Sequence, residues 1–136
     1  MLKKLSMSKL NPKKFKIFLV DDEPSFLKMY GLKLKTAGFD VAACQESSRC
    51  LKDILKFKPD LIFLDLVMAN QDGLQILKKI KSNSEIKWLP VVMLTNIDNP
   101  ADKEECSRLG ASHYLIKAKF TPAQLTEYAK NVLKEI

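Results

Sequence analysis

Residues 60–73 read DLIFLDLVMANQDG. Four apolar residues, Leu61 to Leu64, run into Asp65, and the chain then turns through a polar stretch ending in Asp72-Gly73. So short an apolar run bounded by turn residues suits a strand buried on both faces, as in a parallel sheet. A solvated acid in a loop needs no explanation. An acid at the tip of a core strand is either a turn former or part of a site.

The pattern repeats on both sides. KIFLV (16–20) is a strand candidate closed by Asp21-Asp22. Pro24 suits the first turn of a helix with an apolar stripe of Phe26, Leu27, Tyr30, Leu34 and Ala37, and Gly38 stops it. FDVAAC (39–44) is a second, weaker strand. Ser47 or Ser48 can cap a helix through Leu51, Ile54, Leu55 and Phe57, which Pro59 ends. Beyond the opening stretch, Asp72 caps a helix carrying Leu74, Ile76, Leu77 and Ile80. LPVVMLT (89–95) is the fourth strand, and Asn99-Pro100 starts a helix that Gly110 closes. HYLIK (113–117) is the fifth strand, and Thr121 opens T-P-A-Q, a capping box with proline at the first helical position.

Five strands alternate strictly with five helices. Apolar strands of this kind demand a helix layer on each face, and right-handed crossovers leave few topologies. The expected fold is a flavodoxin-like, doubly wound α/β domain with a five-stranded parallel sheet in the order 2-1-3-4-5.

Composition narrows the function. No apolar run approaches the ~20 residues that cross a bilayer, and the lysine-bearing N-terminus lacks the apolar stretch of a signal peptide. Cys44, Cys50 and Cys106 have no C-x-x-C spacing and read as reduced cytoplasmic thiols. The net charge of +7 points to nucleic acid until it is located. Six lysines and no acid fall in residues 1–16, leaving 17 basic against 16 acidic residues in the remainder. We therefore divide the chain into a basic, flexible tail (1–14) and a nearly neutral domain (15–136), and expect neither nucleic-acid binding nor membrane insertion.

In this fold every strand C-terminal end lies on one sheet edge, where ligands bind. Strand one ends in Asp21-Asp22 with Glu23 beyond, strand three in Asp65, strand four in Thr95 and strand five in Lys117. With neighbouring strands ~4.8 Å apart, Asp22 can sit beside Asp65, with Thr95 and Lys117 on the other side. Taken singly, each of these is most often a turn former, a cap or a solvated charge. Together, three carboxylates repel unless a cation neutralises them, and oxygen-only ligands favour Mg²⁺. Lysine binds phosphate as a point charge, and an aspartate can be a nucleophile that forms an acyl phosphate. The set points to metal-assisted phosphoryl transfer to an aspartate.

FLVDDEP, LIFLDLVMANQDGL, VVMLTN and ASHYLIKAKFTPAQL, in this order, resemble the receiver domain of bacterial response regulators over residues 15–136. The resemblance implies Asp65 as phosphoacceptor. It implies Mg²⁺ held by Asp65, by Asp22 directly, by Asp21 through water and by the backbone carbonyl of Val67. Lys117 pairs with the phosphoryl group, Thr95 is the switch hydroxyl, and Tyr114 is the switch aromatic that turns inward when Thr95 moves. The implied partners are a sensor histidine kinase or histidine phosphotransfer protein, and a downstream protein target that the sequence does not specify. With the chain ending at the fifth helix, the expectation is a stand-alone receiver. It is not an enzyme in the ordinary sense, but a phosphoacceptor with its own phosphorylation and dephosphorylation chemistry.

Three positions depart from the family pattern. Ala69 stands where proline is common, Asn96 follows the switch hydroxyl where a small residue is usual, and Ala118 follows Lys117 in place of a proline that often has a cis bond. A cis bond before alanine costs roughly 2.5–4 kcal/mol, so the last loop is where the shape is open. The resemblance also places Val67 and Ile97 beside the water that attacks the phosphoryl group, and neither can orient a water. A dehalogenase-type hydrolase is disfavoured because Leu66-Val67 replaces the expected D-x-D, and a flavin module because no Gly/Ser/Thr-rich phosphate loop is present. A degenerate receiver, binding proteins without taking phosphate, is the remaining alternative. The only histidine, His113, reads as a surface residue.

Overall fold

The computed structural model describes residues 15–69 and 72–134, so the basic tail expected over residues 1–14 lies outside the described residues. The elements follow in the order β1 (Lys16–Val20), α1 (Pro24–Thr36), β2 (Asp40–Cys44), α2 (Ser47–Phe57), β3 (Leu61–Leu64), α3 (Gly73–Ser82), β4 (Val91–Thr95), α4 (Pro100–Arg108), β5 (His113–Ile116) and α5 (Pro122–Lys134). The sheet is parallel throughout with the order β2-β1-β3-β4-β5, as the alternation of patterns implied.

Each central strand sends alternate side chains to opposite faces, and both faces are covered. On one face Phe18, Val20, Ile62, Leu64, Val91 and Met93 pack with Ile54 of α2, Ile76, Leu77 and Ile80 of α3, and Cys106 of α4. On the other, Ile17, Leu19, Leu61, Phe63, Val92 and Leu94 pack with Phe26, Leu27 and Leu34 of α1 and Leu125, Ala129 and Leu133 of α5. Strands β1, β3 and β4 are almost wholly buried, whereas the edge strands β2 and β5 are half-exposed. That is why FDVAAC is the weaker strand in the sequence: an edge strand is covered less and needs fewer apolar residues.

The helix starts separate correct expectations from one error. Asp72 accepts from Gln75 N at 3.1 Å, Asn99 accepts from Ala101 N at 2.8 Å, and Thr121 and Gln124 exchange reciprocal capping bonds of 3.1 and 2.9 Å. Helix α2 is not capped by Ser47 or Ser48. Its cap position is Glu46, whose side chain makes no capping bond, and Ser47 is already inside the first turn. The helix begins one residue earlier than the serine pair suggested, and the Ser47 hydroxyl is buried without a hydrogen-bond partner. The chain past Lys117 also differs from a simple strand end. Lys117–Lys119 form a single 3₁₀ turn, and no cis peptide occurs among the described residues, so the Lys117–Ala118 bond is trans.

Candidate functional site

The sheet register builds the site. Val20 pairs with Leu64, and the next rung is closed by Asp65 N donating to Val20 O at 2.9 Å, so it is Asp21 that stands level with Asp65, with Asp22 one residue further out. Thr95 pairs with Ile116, leaving Lys117 just beyond the last rung of β5. One ligand oxygen each from Asp21, Asp22 and Asp65 can be chosen so that all lie within 4.8 Å of one another. Asp21, Asp65, Thr95 and Lys117 are buried, and Asp22 is half-buried at the rim.

The Lys117 ammonium is shared among three acids. Its Nζ lies 2.7 Å from Asp21 Oδ2, 3.1 Å from Glu23 Oε1 and 3.3 Å from Asp65 Oδ2. It also sits 4.5 Å above the centroid of the Phe26 ring, a cation–π contact that gives the buried ammonium a fourth favourable neighbour. Burial alone pushes the Lys117 pKa down, but the hydrogen bond that its ammonium donates to Asp21 and the charges of Asp65 and Asp21 overcome it and raise the pKa above the ordinary lysine value. Asp21 is also raised above 3.8, chiefly by burial, with Lys117 and the Glu23 N–H pulling it back and Asp65 adding to the rise. Both groups hold protons more tightly than in water. A single ammonium does not neutralise this pocket, and the all-oxygen cluster fits a hard divalent cation such as Mg²⁺.

Backbone donors complete the loops. Asp21 Oδ1 accepts from Glu23 N at 2.9 Å and Asp65 Oδ1 from Val67 N at 3.3 Å, which sets the orientation of both carboxylates. Thr95 Oγ1 accepts from Ile97 N at 3.3 Å, and the Tyr114 hydroxyl donates to Ile97 O at 2.7 Å. The Tyr114 ring is half-buried against the core and its pKa is pushed up to about 12, mainly by burial and secondarily by nearby acidic groups. Thr95 and Tyr114 are therefore joined through the backbone of Ile97. Val67 and Ile97 are 52% and 36% exposed, so neither apolar side chain belongs to the core. His113 is exposed, with its ring edge-on to Tyr128.

Four contributors have partners that the sequence does not show. Glu23, placed by the sequence just beyond Asp21-Asp22, pairs with Lys117 across 94 residues. Phe26 reads as helix stripe yet lies under the ammonium. Asn96 and Ala118 read as unrelated departures yet are hydrogen-bonded to each other at 2.9 Å. Only Glu23 carried a sequence signal, its place directly after the Asp21-Asp22 pair.

The Asp21 shift has a testable sign. A raised folded-state pKa contributes stability at pH values below the ordinary carboxylate value, and that contribution is lost as pH rises through the folded value. At neutral pH the ionised Asp21 therefore costs stability. Asp21→Asn is expected to raise the metal-free thermal midpoint at pH 7. The gain should vanish in melts run near pH 3, and the mutant should lose most of the midpoint rise that Mg²⁺ gives the wild type.

A doubly wound sheet whose carboxyl edge gathers three acids, a hydroxyl and a buried lysine belongs to the class of open α/β domains that take ligands at that edge. The response regulator receiver domain family matches residues 17–130, and the chain belongs to it. Among curated relatives, it is 33% identical over 119 residues to the alkaline phosphatase synthesis transcriptional regulatory protein PhoP of Bacillus subtilis, covering 88% of this chain and 48% of that one. It is 32% identical over 110 residues to the DNA-binding response regulator MtrA of Mycolicibacterium smegmatis, covering 81% and 46%. The chain thus spans about half the length of the curated relatives it matches. Among solved structures, the chemotaxis protein CheY4 of Vibrio cholerae superposes with a TM-score of 0.81 at 30% identity, covering 87% of this chain and 98% of that one. No helix among the described residues is long and apolar enough to cross a membrane.

Proposed function

We propose that Asp65 accepts a phosphoryl group from a phosphohistidine on a sensor histidine kinase or histidine phosphotransfer protein. The observation that carries this is the Lys117 ammonium 3.3 Å from Asp65 Oδ2, inside a cluster of three carboxylates that fits Mg²⁺. A carboxylate oxygen of Asp65 attacks phosphorus, the P–N bond breaks, and its electron pair leaves on the histidine nitrogen. Lys117, already beside that carboxylate, transfers its contact to a phosphoryl oxygen. Thr95 Oγ1 accepts from Ile97 N in the present structure, and its own O–H is available to donate to the incoming phosphoryl group. Mg²⁺, held by Asp21, Asp22, Asp65 and the Val67 carbonyl, supplies charge neutralisation at the phosphoryl oxygens when bound.

The response passes outward through a short path. Drawing Thr95 toward the phosphoryl group pulls on Ile97 N, and Ile97 O holds the Tyr114 hydroxyl. The surface around Tyr114 is then the element whose arrangement a downstream protein reads. Acetyl phosphate with Mg²⁺ is expected to add one phosphoryl group to the intact protein by mass. An unchanged mass over hours would leave the alternative, a receiver that binds partners without taking phosphate.

Once formed, the acyl phosphate is expected to be long-lived. Val67 and Ile97 carry exposed apolar side chains two residues after Asp65 and Thr95, and neither side chain can orient a water for in-line attack by hydrogen bonding. Positioning is a main lever in phosphoryl transfer, so Val67→Asn/Ile97→Glu is expected to lose its phosphoryl group about 10-fold faster than wild type. Decay of the acyl phosphate, followed by mass after removal of the donor, checks this. Equal or slower decay in the double mutant refutes it.

A further inference from the structure

We propose that Asn96 is a positioning residue that clamps the Thr95 and Lys117 strand ends together through the backbone N–H of Ala118. The inference rests on the phosphoacceptor reading above for its kinetic consequence, and on geometry alone for the clamp. Ala118 N donates to Asn96 Oδ1 at 2.9 Å, joining residues 22 apart in sequence. Ala118 lies inside the 3₁₀ turn Lys117–Lys119, closed by Phe120 N donating to Lys117 O at 3.2 Å. The opening N–H groups of such a turn have no partner within it and need an acceptor from outside. The residue at the cap position, Ile116, has no side-chain acceptor to offer. The acceptor comes instead from the loop after β4.

The two residues make sense as a pair. An alanine at 118 presents an N–H, which a proline would not. A carboxamide at 96 provides the oxygen to receive it, which a smaller apolar side chain would not. The parallel ladder between β4 and β5 ends at Thr95 opposite Ile116. The Asn96–Ala118 bond adds a side-chain rung just past that end, between the residues that follow Thr95 and Lys117. Lysine has four rotatable side-chain bonds, so its ammonium stays on target only if its backbone is held. The clamp ties the two groups that would hold the phosphoryl oxygens to one geometry. Both Asn96 and Ala118 are exposed, so the bond contributes little to overall stability and its effect falls on placement.

The clamp predicts a sign opposite to simple obstruction. If Asn96 only narrowed the entrance, shortening it would speed phosphorylation. As a positioning residue, Asn96→Ala is expected to slow the maximal rate of labelling by acetyl phosphate about 5-fold, with little change in the half-saturating concentration. Ala118→Pro, which removes the N–H, should slow it to a similar degree, and Ala118→Gly, which keeps the N–H, should behave like wild type. The Asn96→Ala/Ala118→Pro double mutant should be no slower than either single one, because both remove the same bond. An unchanged or faster rate in Asn96→Ala, or multiplicative losses of roughly 25-fold in the double mutant, would overturn the proposal. Amide exchange at Ala118 reads the clamp without phosphorylation. Protection in the wild type and its loss in Asn96→Ala supports the clamp even if the protein takes no phosphoryl group, and equal exchange in the two refutes it.

Discussion

Asp65→Asn is expected to fold and to gain no phosphoryl mass from acetyl phosphate and Mg²⁺. An amide oxygen is a poor nucleophile, and an amide cannot form the mixed anhydride that an aspartate forms with phosphate. Oδ2 of Asp65 is a carboxylate oxygen already held against the Lys117 ammonium at the buried end of β3. Asp21 makes the shorter contact with the same ammonium, at 2.7 Å, but it is 2% exposed and enclosed by Lys117 and the Glu23 N–H. Asp22, at the rim, is the only other carboxylate of the three-acid cluster. Folding should survive because Asp21 and Glu23 still neutralise Lys117 when Asp65 loses its charge. Intact mass of wild type and mutant side by side decides the matter. Equal labelling would move the acceptor to another acid, with peptide mapping after borohydride reduction to locate it.

Gly73→Ala is expected to be the most destabilising single methyl that can be added near the site. A Cβ on Gly73 would overlap the backbone oxygen of Asp65 and stand 2.8 Å from Leu66 Cα and 3.0 Å from Asp65 C. All three are backbone atoms, so no side chain can swing aside. Helix α3 begins with Gly73 N donating to Leu66 O at 2.6 Å, which presses the helix start onto the chain carrying Asp65. Adding the methyl forces the helix and the Asp65–Leu66 backbone apart, at a cost of about 2–4 kcal/mol. Urea unfolding should show the loss as a lower midpoint with an unchanged slope. Labelling by acetyl phosphate should slow even where the mutant is fully folded, because the displaced backbone is that of the proposed acceptor. Wild-type stability in this mutant would mean that the close approach is relieved elsewhere.

The place where these side chains meet was largely legible in the sequence. Asp21, Asp22, Asp65 and Lys117 follow strands and Thr95 ends one, and a parallel sheet brings all strand ends to one edge. Local rules also succeeded where one residue decides the outcome, as with the Asp72, Asn99 and Thr121 caps. They failed at α2, where Ser47 and Ser48 carried the local signal for a cap. There the helix starts one residue earlier, at a glutamate that caps nothing, and the Ser47 hydroxyl is left buried and unpaired.

By itself, then, the sequence determined the alternation of elements, the order of the sheet and the edge on which the acids meet, because hydrophobic period and turn residues are local properties. Tertiary structure alone decided how one ammonium is divided among Asp21, Glu23 and Asp65, why position 73 has no room for a side chain, and that Asn96 answers Ala118. Those contacts join residues 22 to 96 apart, or depend on gaps of a few ångströms between backbones. No period or propensity encodes them. They exist only once strand register has placed the loops side by side.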